Sequence, residues 1–297
     1  MTGPRVVVVA KRSLYGRYVE DEEDPRARQL LRRHDRSVAH WHAAHEDHQR
    51  TLDEVRHLLT KMGAHVLWIR HPSAQFDATD AVLVVTVGGD GTLLAASHNV
   101  KNVPILGVNS APRFSVGKYC AARRTTLRTL LPAALDRSLP SVELTRMRVA
   151  INGRTRSRRV LNEALYCHST PAATSRYILT YGGRREEHRS SGFWIGPSAG
   201  SAAAQHSAGG KVLPLSSSKL QLVVREPYVP PGKRYHLLRL IIGSDQMVSA
   251  KSKMHDGSMF LDGPYKRLAV RLGDVTTFTA DGDPLLVVGL RARPAPR

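Results

Sequence analysis

Residues 84–94 read VVTVGGDGTLL, and this stretch decides the fold. Its first residues continue an apolar, β-branched run that starts at residue 81, which is typical of a strand buried on both faces. Gly88 and Gly89 break the run, and the pattern that follows predicts a helix over residues 92–98. A strand, a glycine turn and a helix in immediate succession predict part of a parallel α/β sheet.

The turn between this strand and this helix has the composition of a phosphate-binding site. In open α/β sheets, ligands bind beyond the carboxyl ends of the strands, and the start of a helix offers unpaired N–H groups to an anion. Gly88, Gly89 and Gly91 allow the backbone to approach a ligand closely. Asp90 would repel a phosphate, so its presence indicates a task such as accepting a proton or holding Mg²⁺. The alternative is a tight turn in which Asp90 only caps the helix.

The segments on either side of this turn alternate between strands and helices. Strands are predicted at Arg5–Ala10, at His65–Ile69 and over residues 104–108, and helices over residues 27–62 and 125–135. The alternation predicts a doubly wound parallel sheet, and we assign residues 1–138 to this Rossmann-like α/β domain.

From residue 139 the sequence changes to short alternating runs that glycine and proline separate. This pattern favours antiparallel strands, and we assign residues 139–297 to an all-β domain, a β-sandwich. The predicted strands are residues 146–151, 160–166, 177–181, 220–224, 237–242 and 268–272. Residues 294–297 are predicted to form a loose polar tail.

The composition of the 297 residues excludes several classes of protein. Hydrophobic residues make up 41% and charged residues 23%, as is ordinary for a globular protein. No stretch reaches the roughly 18 apolar residues of a membrane span. Cys120 and Cys167 are too few for a disulfide framework, and neither belongs to a CxxC pair. The first apolar run is short and reads as a strand rather than a signal peptide.

The charge of the chain is strongly positive. It carries 44 Lys and Arg residues against 25 Asp and Glu residues, a net charge of +19. Such a balance attracts polyanions, either nucleic acid or small phosphorylated molecules. Nucleic-acid binding is the weaker interpretation, because no aromatic-rich run of the kind found in RNA-binding modules accompanies the charge.

Histidines cluster at the middle of the long predicted helix. They are His40, His42, His45 and His48. We expect them on a solvated or partner-facing surface, with metal binding or nucleotide contact as alternatives. The sequence therefore predicts no resident metal ligand.

The GGDGT turn after a buried strand resembles that of a superfamily of NAD kinases, diacylglycerol and sphingosine kinases, and phosphofructokinases. Later segments resemble the NAD kinase family in particular: VLNEA at residues 160–164, RSSG at 189–192 and GPSAGSAAAQHSAGG at 196–210. The likeness extends from Arg5 to about residue 290 and is closest to the mitochondrial-type branch, which also has serine at the position of Ser191. No transit peptide is visible, so we expect a cytoplasmic protein.

The resemblance implies a kinase that uses ATP to phosphorylate the 2′-hydroxyl of the adenosine ribose in NAD(H), giving NADP(H). Asp90 would be the general base, and Mg²⁺ or another divalent cation would accompany ATP. The implied nucleotide contacts are Gly88, Gly89, Gly91 and Thr92 in the phosphate turn, and Asn162, Glu163, Arg189, Ser191, Ser201, Ala203 and Ser207 in the second domain. The family also implies an active site in the cleft between the domains, a last segment that returns to the first domain, and a homodimer or larger homo-oligomer.

The sequence departs from the family within these motifs. Most members have aspartate at Ser191, threonine at Ala199 and Ala202, and tyrosine at Ala204. The missing tyrosine removes a flat contact with a base, which Trp194 or Tyr166 would have to replace. One alternative function is therefore a nucleotide-binding relative without catalysis. Another is a lipid kinase of the diacylglycerol type, which shares the GGDGT turn.

Overall fold

The chain folds into two compact units in a computed structural model, which describes residues 3–290. The first unit runs to Val142 and includes the short segment that begins at Leu286, and the second unit runs from Glu143 to Leu285. None of the helices described is long and apolar enough to cross a membrane. The tail predicted at residues 294–297 lies outside the described residues.

The regular elements have the following bounds, in chain order. The α-helices are α1 (Pro25–Arg32), α2 (Trp41–Lys61), α3 (Asp90–Ser97), α4 (Leu127–Leu135) and α5 (Ala204–Ser207). The first strands are β1 (Arg5–Ala10), β2 (His65–Ile69), β3 (Leu83–Gly88), β4 (Ile105–Asn109), β5 (Ala122–Arg123), β6 (Ser141–Leu144), β7 (Met147–Ile151), β8 (Arg154–Val160) and β9 (Ala164–His168). The later strands are β10 (Ser175–Tyr181), β11 (Arg184–Ser190), β12 (Phe193–Pro197), β13 (Leu220–Val224), β14 (Arg239–Ile242), β15 (Met247–Ser252), β16 (Gly257–Leu261), β17 (Lys266–Val270), β18 (Val275–Thr279) and β19 (Leu285–Val288).

The sheet of the first unit has the strand order β2-β1-β3-β4-β19-β6, with β5 beside β4. Strand β1 pairs in parallel with β2 and with β3, and β3 pairs in parallel with β4. Because β2 lies on one side of β1 and β3 lies on the other, the strand order reverses at β1. Such a reversal is where ligands bind in doubly wound sheets. We therefore expect a ligand-binding site at the carboxyl ends of β1 and β3, at Ala10 and Gly88.

The core of the first unit is aliphatic. Every residue of β3 is buried, and Val6, Val7, Val8 and Val9 of β1 are completely inaccessible. Helices α2 and α4 contribute apolar side chains, among them Leu59, to the same core. Each such side chain stabilises the fold by roughly 1.5–3 kcal/mol. The continuous β-branched runs thus form central strands because both of their faces are covered.

The single helix predicted over residues 27–62 is two helices, so this prediction was wrong in the middle. Helix α1 ends at Arg32 and α2 begins at Trp41. Between them, one carboxylate oxygen of Asp35 accepts hydrogen bonds from the backbone N–H and the hydroxyl of Ser37, at 2.9 and 2.6 Å. His34 has a φ of 52°. Local bonding of this kind competes with the helix and ends it.

Two six-stranded antiparallel sheets form the second unit, in the orders β11-β10-β15-β18-β7-β8 and β14-β13-β12-β9-β16-β17. Their core contains stacked aromatic rings, with the centroids of Tyr166 and Phe193 4.8 Å apart. Tyr166 is completely buried, so its ring belongs to this core and cannot replace the tyrosine missing at Ala204. The predicted fold class is confirmed: a parallel α/β sheet comes first, and antiparallel sheets follow.

Two strands of the second unit escaped prediction because they are rich in charge. The sequences of β8 and β11 are RTRSRRV and RREEHRS, and both lie at the ends of one sheet. Charged side chains are common on edge strands, where they oppose pairing with another chain. Polarity therefore concealed two strands whose backbone pairing is regular.

Candidate active site

The GGDGT turn joins β3 to α3. Gly89 adopts an extended conformation at the helix N-cap, with a φ of −137°, and Asp90 is the first helical residue. A Cβ atom on Gly88 would overlap the hydroxyl of Thr92, so the buried Thr92 packs directly on this glycine. A Cβ atom on Gly91 would meet nothing within 4 Å. The exposed space over the first turn of α3, where the N–H groups of a helix lack internal partners, is therefore open to an anion.

Asp90 is held by the loop that follows β4. Its two carboxylate oxygens accept hydrogen bonds from the backbone N–H groups of Lys118 and Tyr119, at 2.8 and 2.7 Å. The residue is half-buried, and each oxygen retains a lone pair for another donor. The carboxylate thus has a fixed position and can still accept a proton. The same bonds give it a structural task that the sequence did not reveal.

Asn109 fixes the same loop from the end of β4. Its side-chain amide donates to the carbonyl oxygen of Ser115 at 2.9 Å, and its side-chain oxygen accepts from the N–H of Ala111 at 3.2 Å. Gly117 has a φ of 65° and lies against Asn109 so closely that a Cβ atom would overlap the amide. A polar residue at the end of a buried strand was the available signal for this role, and sequence reasoning missed it.

His48 connects α2 to the turn and is completely buried, so the expectation of a solvated position was wrong for this residue. Its Nε2 lies 2.9 Å from the carbonyl oxygen of Lys11, and its Nδ1 lies 2.9 Å from the hydroxyl of Ser110. Because a carbonyl oxygen only accepts, Nε2 carries the proton and Nδ1 accepts from the hydroxyl. Burial and the nearby Lys11 charge lower the pKa of His48 to about 4. A neutral ring therefore bridges the end of β1 to the residue after β4.

The other histidines near α2 have different surroundings. His42 is exposed and lies 3.4 Å from Glu46, whereas His45 is half-buried and bonds the hydroxyl of Ser13 at 2.7 Å. Within residues 3–290, no group of three His, Cys, Asp or Glu side chains is arranged to hold a metal ion. His45 and His48 therefore contact neighbouring segments, whereas His40 and His42 are exposed, as expected.

In the second unit, Asp262 organises the Asn162–Glu163 pair. One of its carboxylate oxygens accepts from the N–H groups of Asn162 and Glu163, at 2.6 and 3.1 Å, and the other accepts from Leu161 at 2.9 Å. The N–H of Asp262 donates in turn to the carbonyl oxygen of Glu163 at 2.9 Å. The turn that presents Asn162 and Glu163 is thus held by a residue a hundred positions away. The Leu-Asp-Gly motif at residues 261–263 was visible in the sequence, but its contact was not.

The segment that follows β12 packs on the same turn. Cβ atoms on Gly196 and Gly200 would overlap the carbonyl oxygen of Asn162. The buried side chain of Gln205 donates to that oxygen at 3.4 Å and accepts from Gln221 at 3.1 Å. The structure therefore brings the Asn-Glu motif and the glycine-rich motif together within one unit. Both glycines are required by close backbone approach.

The remaining predicted contacts differ in what they offer a ligand. The hydroxyl of Ser201 is completely buried, donates to the Ser198 carbonyl oxygen at 2.7 Å and accepts from the Leu213 N–H at 2.8 Å. Ala203 is half-buried, and Ser207 is exposed. Arg189 is exposed on β11, and Ser191 is half-buried with its N–H bound to the Arg225 carbonyl oxygen at 3.1 Å. Ser201 thus shapes the segment, whereas Ser207 and Arg189 present polar groups on the exposed surface.

A cavity of about 520 Å³ lies beside these residues in the second unit. Ala208, Arg225, His236 and Arg239 are among its lining residues. The Arg225 guanidinium also lies over the Trp194 ring, 5.6 Å from its centroid. The volume of this cavity is in the range of pockets that enclose a small-molecule ligand. Trp194 is therefore engaged by a cation at the rim of this region rather than free to stack.

Comparison with known proteins agrees with these motifs. Residues 7–128 match the family described as the ATP-NAD kinase N-terminal domain. The chain is 32% identical over 263 residues to a probable NADH kinase of Oryza sativa subsp. japonica, with 81% of each chain covered. It is also 32% identical over 267 residues to an NADH kinase of Arabidopsis thaliana, covering 81% of this chain and 83% of the relative.

Solved structures of lower identity share the fold. A crystal structure of an NAD kinase from Archaeoglobus fulgidus in complex with ATP superposes with a TM-score of 0.66 at 19% identity, covering 96% of this chain and 93% of that one. Yeast NADH kinase complexed with NADH gives a TM-score of 0.72 at 12% identity, covering 98% and 85%. The two plant relatives are similar over about four-fifths of their length, and the motifs lie within the matched fold. The chain belongs to the NAD kinase family.

Proposed function

We propose that this protein transfers the terminal phosphoryl group of ATP to the 2′-hydroxyl of the adenosine ribose in NAD(H). The phosphorylation of NAD(H) itself follows from membership of the family, and that membership sets aside the lipid-kinase alternative. The position of the reaction on the dinucleotide and the roles of the individual residues are the proposal. One observation carries it: the Asp90 carboxylate is fixed beside an open helix N-terminus at the switch point of the sheet.

Asp90 acts as the general base. The ribose hydroxyl gives its proton to the carboxylate as its oxygen forms a bond to the γ-phosphorus, and the bond from that phosphorus to the β-γ bridging oxygen breaks to release ADP. Positioning and charge stabilisation dominate such transfers, because their transition state is loose. A base in this role contributes typically 10²–10⁴-fold to the rate. The backbone N–H groups of Lys118 and Tyr119 hydrogen-bond the Asp90 carboxylate, restrict its motion and so favour this geometry.

The phosphate turn receives the triphosphate. Gly88 and Gly89 bring the backbone close, Thr92 packs beneath it, and Gly91 leaves the space above the first helical turn open. Mg²⁺ ordinarily binds phosphates and water with one or two carboxylates. That cation would offset the charge of Asp90 and of the phosphates.

The dinucleotide is bound by residues of the second unit. Asn162 and Glu163 hydrogen-bond its sugar or base, because the Asp262 carboxylate holds their backbone in one arrangement. Arg189 meets a phosphate or ribose group, and Ser191, Ala203 and Ser207 contact the adenine and ribose. Ser201 contributes the shape of the segment through its two buried hydrogen bonds.

The acceptor includes the reduced dinucleotide. The two plant relatives similar over about four-fifths of the chain are named as NADH kinases. We therefore expect phosphorylation of NADH at a rate at least comparable with that of NAD⁺. The cytoplasmic location and the homo-oligomeric state remain predictions.

The test is a coupled assay of NADP⁺ or NADPH formation from ATP with NAD⁺ or NADH. The purified protein should form product, and Asp90→Asn should lower kcat about 10²–10⁴-fold with little change in KM for the dinucleotide. Asn109→Ala is the matched control, because it frees the same loop while it leaves the carboxylate. Tight dinucleotide binding without turnover would favour the alternative of a relative that has lost catalysis. An equal loss in both variants would reduce Asp90 to a loop anchor.

A further inference from the structure

A second cavity lies in the first unit, at the carboxyl ends of β1 and β2. Its volume is about 180 Å³. Four cationic side chains line it, and no Asp or Glu is among its lining residues: the cations are Lys11, Arg12, Arg56 and Arg70. Trp68 and His48 form further parts of the wall. A concave site with cations and no carboxylate has the electrostatic character of an anion-binding site.

Two of these cations are already partnered. Arg12 pairs with Asp21 and also donates to the carbonyl oxygen of Gly16. Arg56 pairs with Asp53 at 2.9 Å and lies over the ring of Trp68, 5.1 Å from its centroid. These contacts hold the two arginines in place at the rim of the cavity.

Lys11 and Arg70 differ from them. Within residues 3–290, neither side chain has a hydrogen bond or an ion pair to a protein group. Lys11 is half-buried, and burial lowers the pKa of its ammonium group. A partly buried cation without an opposite charge is unfavourable unless something else neutralises it. A bound anion would supply that charge.

The cavity adjoins the phosphate turn. The backbone N–H of Lys11 donates to the carbonyl oxygen of Val87 over 3.1 Å, one residue before the turn begins at Gly88. A second connection uses His48, which bonds both the Lys11 carbonyl oxygen and the Ser110 hydroxyl. The N–H of Ser110 in turn donates to the carbonyl oxygen of Gly88 at 2.9 Å. The cavity and the phosphate turn therefore lie at the ends of neighbouring strands and share one hydrogen-bond network.

The size of the cavity limits the ligand. Pockets that enclose a drug-sized molecule measure about 300–1,000 Å³. At about 180 Å³ this one takes a few phosphate groups and excludes a base. We propose that the cavity bounded by Lys11 and Arg70 binds the phosphate groups of a phosphorylated ligand, and that the phosphoryl donor is that ligand. Only the identity of the ligand rests on the proposed function.

Binding is tested by calorimetry with inorganic tripolyphosphate and diphosphate on the full chain, without NAD(H). Lys11→Gln and Arg70→Gln should each raise the dissociation constant of tripolyphosphate at least tenfold. Arg36→Gln removes the same charge from an exposed position outside the cavity and should change it less than twofold. Lys11→Arg keeps the charge and should restore most of the affinity. Wild-type affinity in Lys11→Gln and Arg70→Gln would overturn the proposal. Because Arg70 is exposed, its replacement should not disturb folding, so a loss of affinity in Arg70→Gln would report on binding.

The source of the phosphates is distinguished by inhibition kinetics. Tripolyphosphate that raises KM for ATP with kcat unchanged identifies the donor as the ligand. A lowered kcat at saturating ATP identifies a free oxyanion at the same cavity instead, which retains the site but overturns its assignment to the donor. Calorimetry needs no turnover, so a failure of the proposed kinase reaction leaves the binding result intact.

Discussion

At the scale of single residues, the three glycines of the phosphate turn differ in the space around them. Gly88 and Gly89 are required because a Cβ atom would overlap Thr92 or Ser115, whereas Gly91 has open space around its Cα. The first two glycines are therefore explained by the protein alone. Gly91 has no such internal reason, and its absence of a side chain matters to whatever approaches from outside.

Gly91→Ala tests that distinction. In the first turn of α3, alanine should raise the free energy of unfolding by about 0.4–1 kcal/mol, because it restricts the unfolded chain without a clash. The same methyl group should raise KM for ATP several-fold, because it occupies the space of the approaching phosphate. Thermal unfolding and steady-state kinetics on one preparation measure both effects. A stabilised variant with unchanged KM would place the triphosphate elsewhere.

The sequence singled out the residues of this turn, since glycines and a carboxylate after a buried strand favour a phosphate site, and the chemistry assigned to them stays a prediction. It could not predict that Asp90 also holds a loop, because Lys118 and Tyr119 contribute only backbone N–H groups. Backbone donors leave no trace in residue identity. The buried position of His48 was hidden for a similar reason, since one of its partners is a carbonyl oxygen.

At the scale of elements, Asp262 couples the end of β16 to the turn before β9. Its carboxylate accepts hydrogen bonds from three consecutive backbone N–H groups of that turn. The pairing of β16 with β9 sets this contact, because Leu261 lies opposite Ala164 in the register. A motif of three residues near the end of the chain is therefore part of the Asn-Glu site.

The effect of substituting Asp262 on stability and on KM should increase with the number of hydrogen bonds lost. Asp262→Ala removes all three bonds, and each unpaired N–H costs about 1–3 kcal/mol where water cannot replace the partner. Asp262→Asn retains the oxygen that serves Asn162 and Glu163 and should lose less. We expect KM for NAD(H) to rise more than tenfold in the alanine variant and only slightly in the asparagine variant. Equal KM values with unequal stabilities would limit Asp262 to a structural role.

The contact of α2 with β1 predicts a pH dependence of stability. The folded pKa of His48, about 4, lies below the ordinary value of 6.5 because burial and the Lys11 charge disfavour the imidazolium. Between these pH values the unfolded chain binds more protons than the folded one. The stabilisation is therefore complete above pH 6.5 and decreases as the pH falls toward 4, by about 3 kcal/mol in total.

His48→Gln provides the reference for that measurement. Glutamine does not titrate, and its amide can donate to the Lys11 carbonyl oxygen. Urea unfolding at intervals from pH 7 to pH 4.5 should show the wild-type free energy falling more steeply than that of the variant. Other titrating groups are common to both proteins and cancel in the comparison. Parallel curves would mean that the pKa of His48 is the same in the folded and the unfolded chain.

At the scale of the whole molecule, the chain leaves the first sheet after β6 and returns to it near the end of the sequence, where β19 inserts between β4 and β6. Periodicity does not predict this return, because a strand of four apolar residues is compatible with either sheet. The family resemblance implied it, whereas residue patterns assigned everything after residue 139 to one domain. Long-range pairing is a property of the assembled sheet, and no local signal encodes which strands a short strand will pair with.

This topology predicts that residues 1–142 are insufficient for a stable first unit. Strand β19 lies between β4 and β6, and its Leu285, Val287 and Val288 are buried. At about 1.5–3 kcal/mol for each side chain, their loss is comparable with the 5–15 kcal/mol that stabilises a typical domain. A fragment of residues 1–142 should therefore aggregate or unfold at a markedly lower temperature than the same fragment with residues 285–290 fused through a glycine-serine linker. A fusion with the six residues in scrambled order controls for added length, and circular dichroism with light scattering measures all three. Equal, cooperative unfolding of the bare and the fused fragments would show that the first unit is stable without β19, contrary to this prediction.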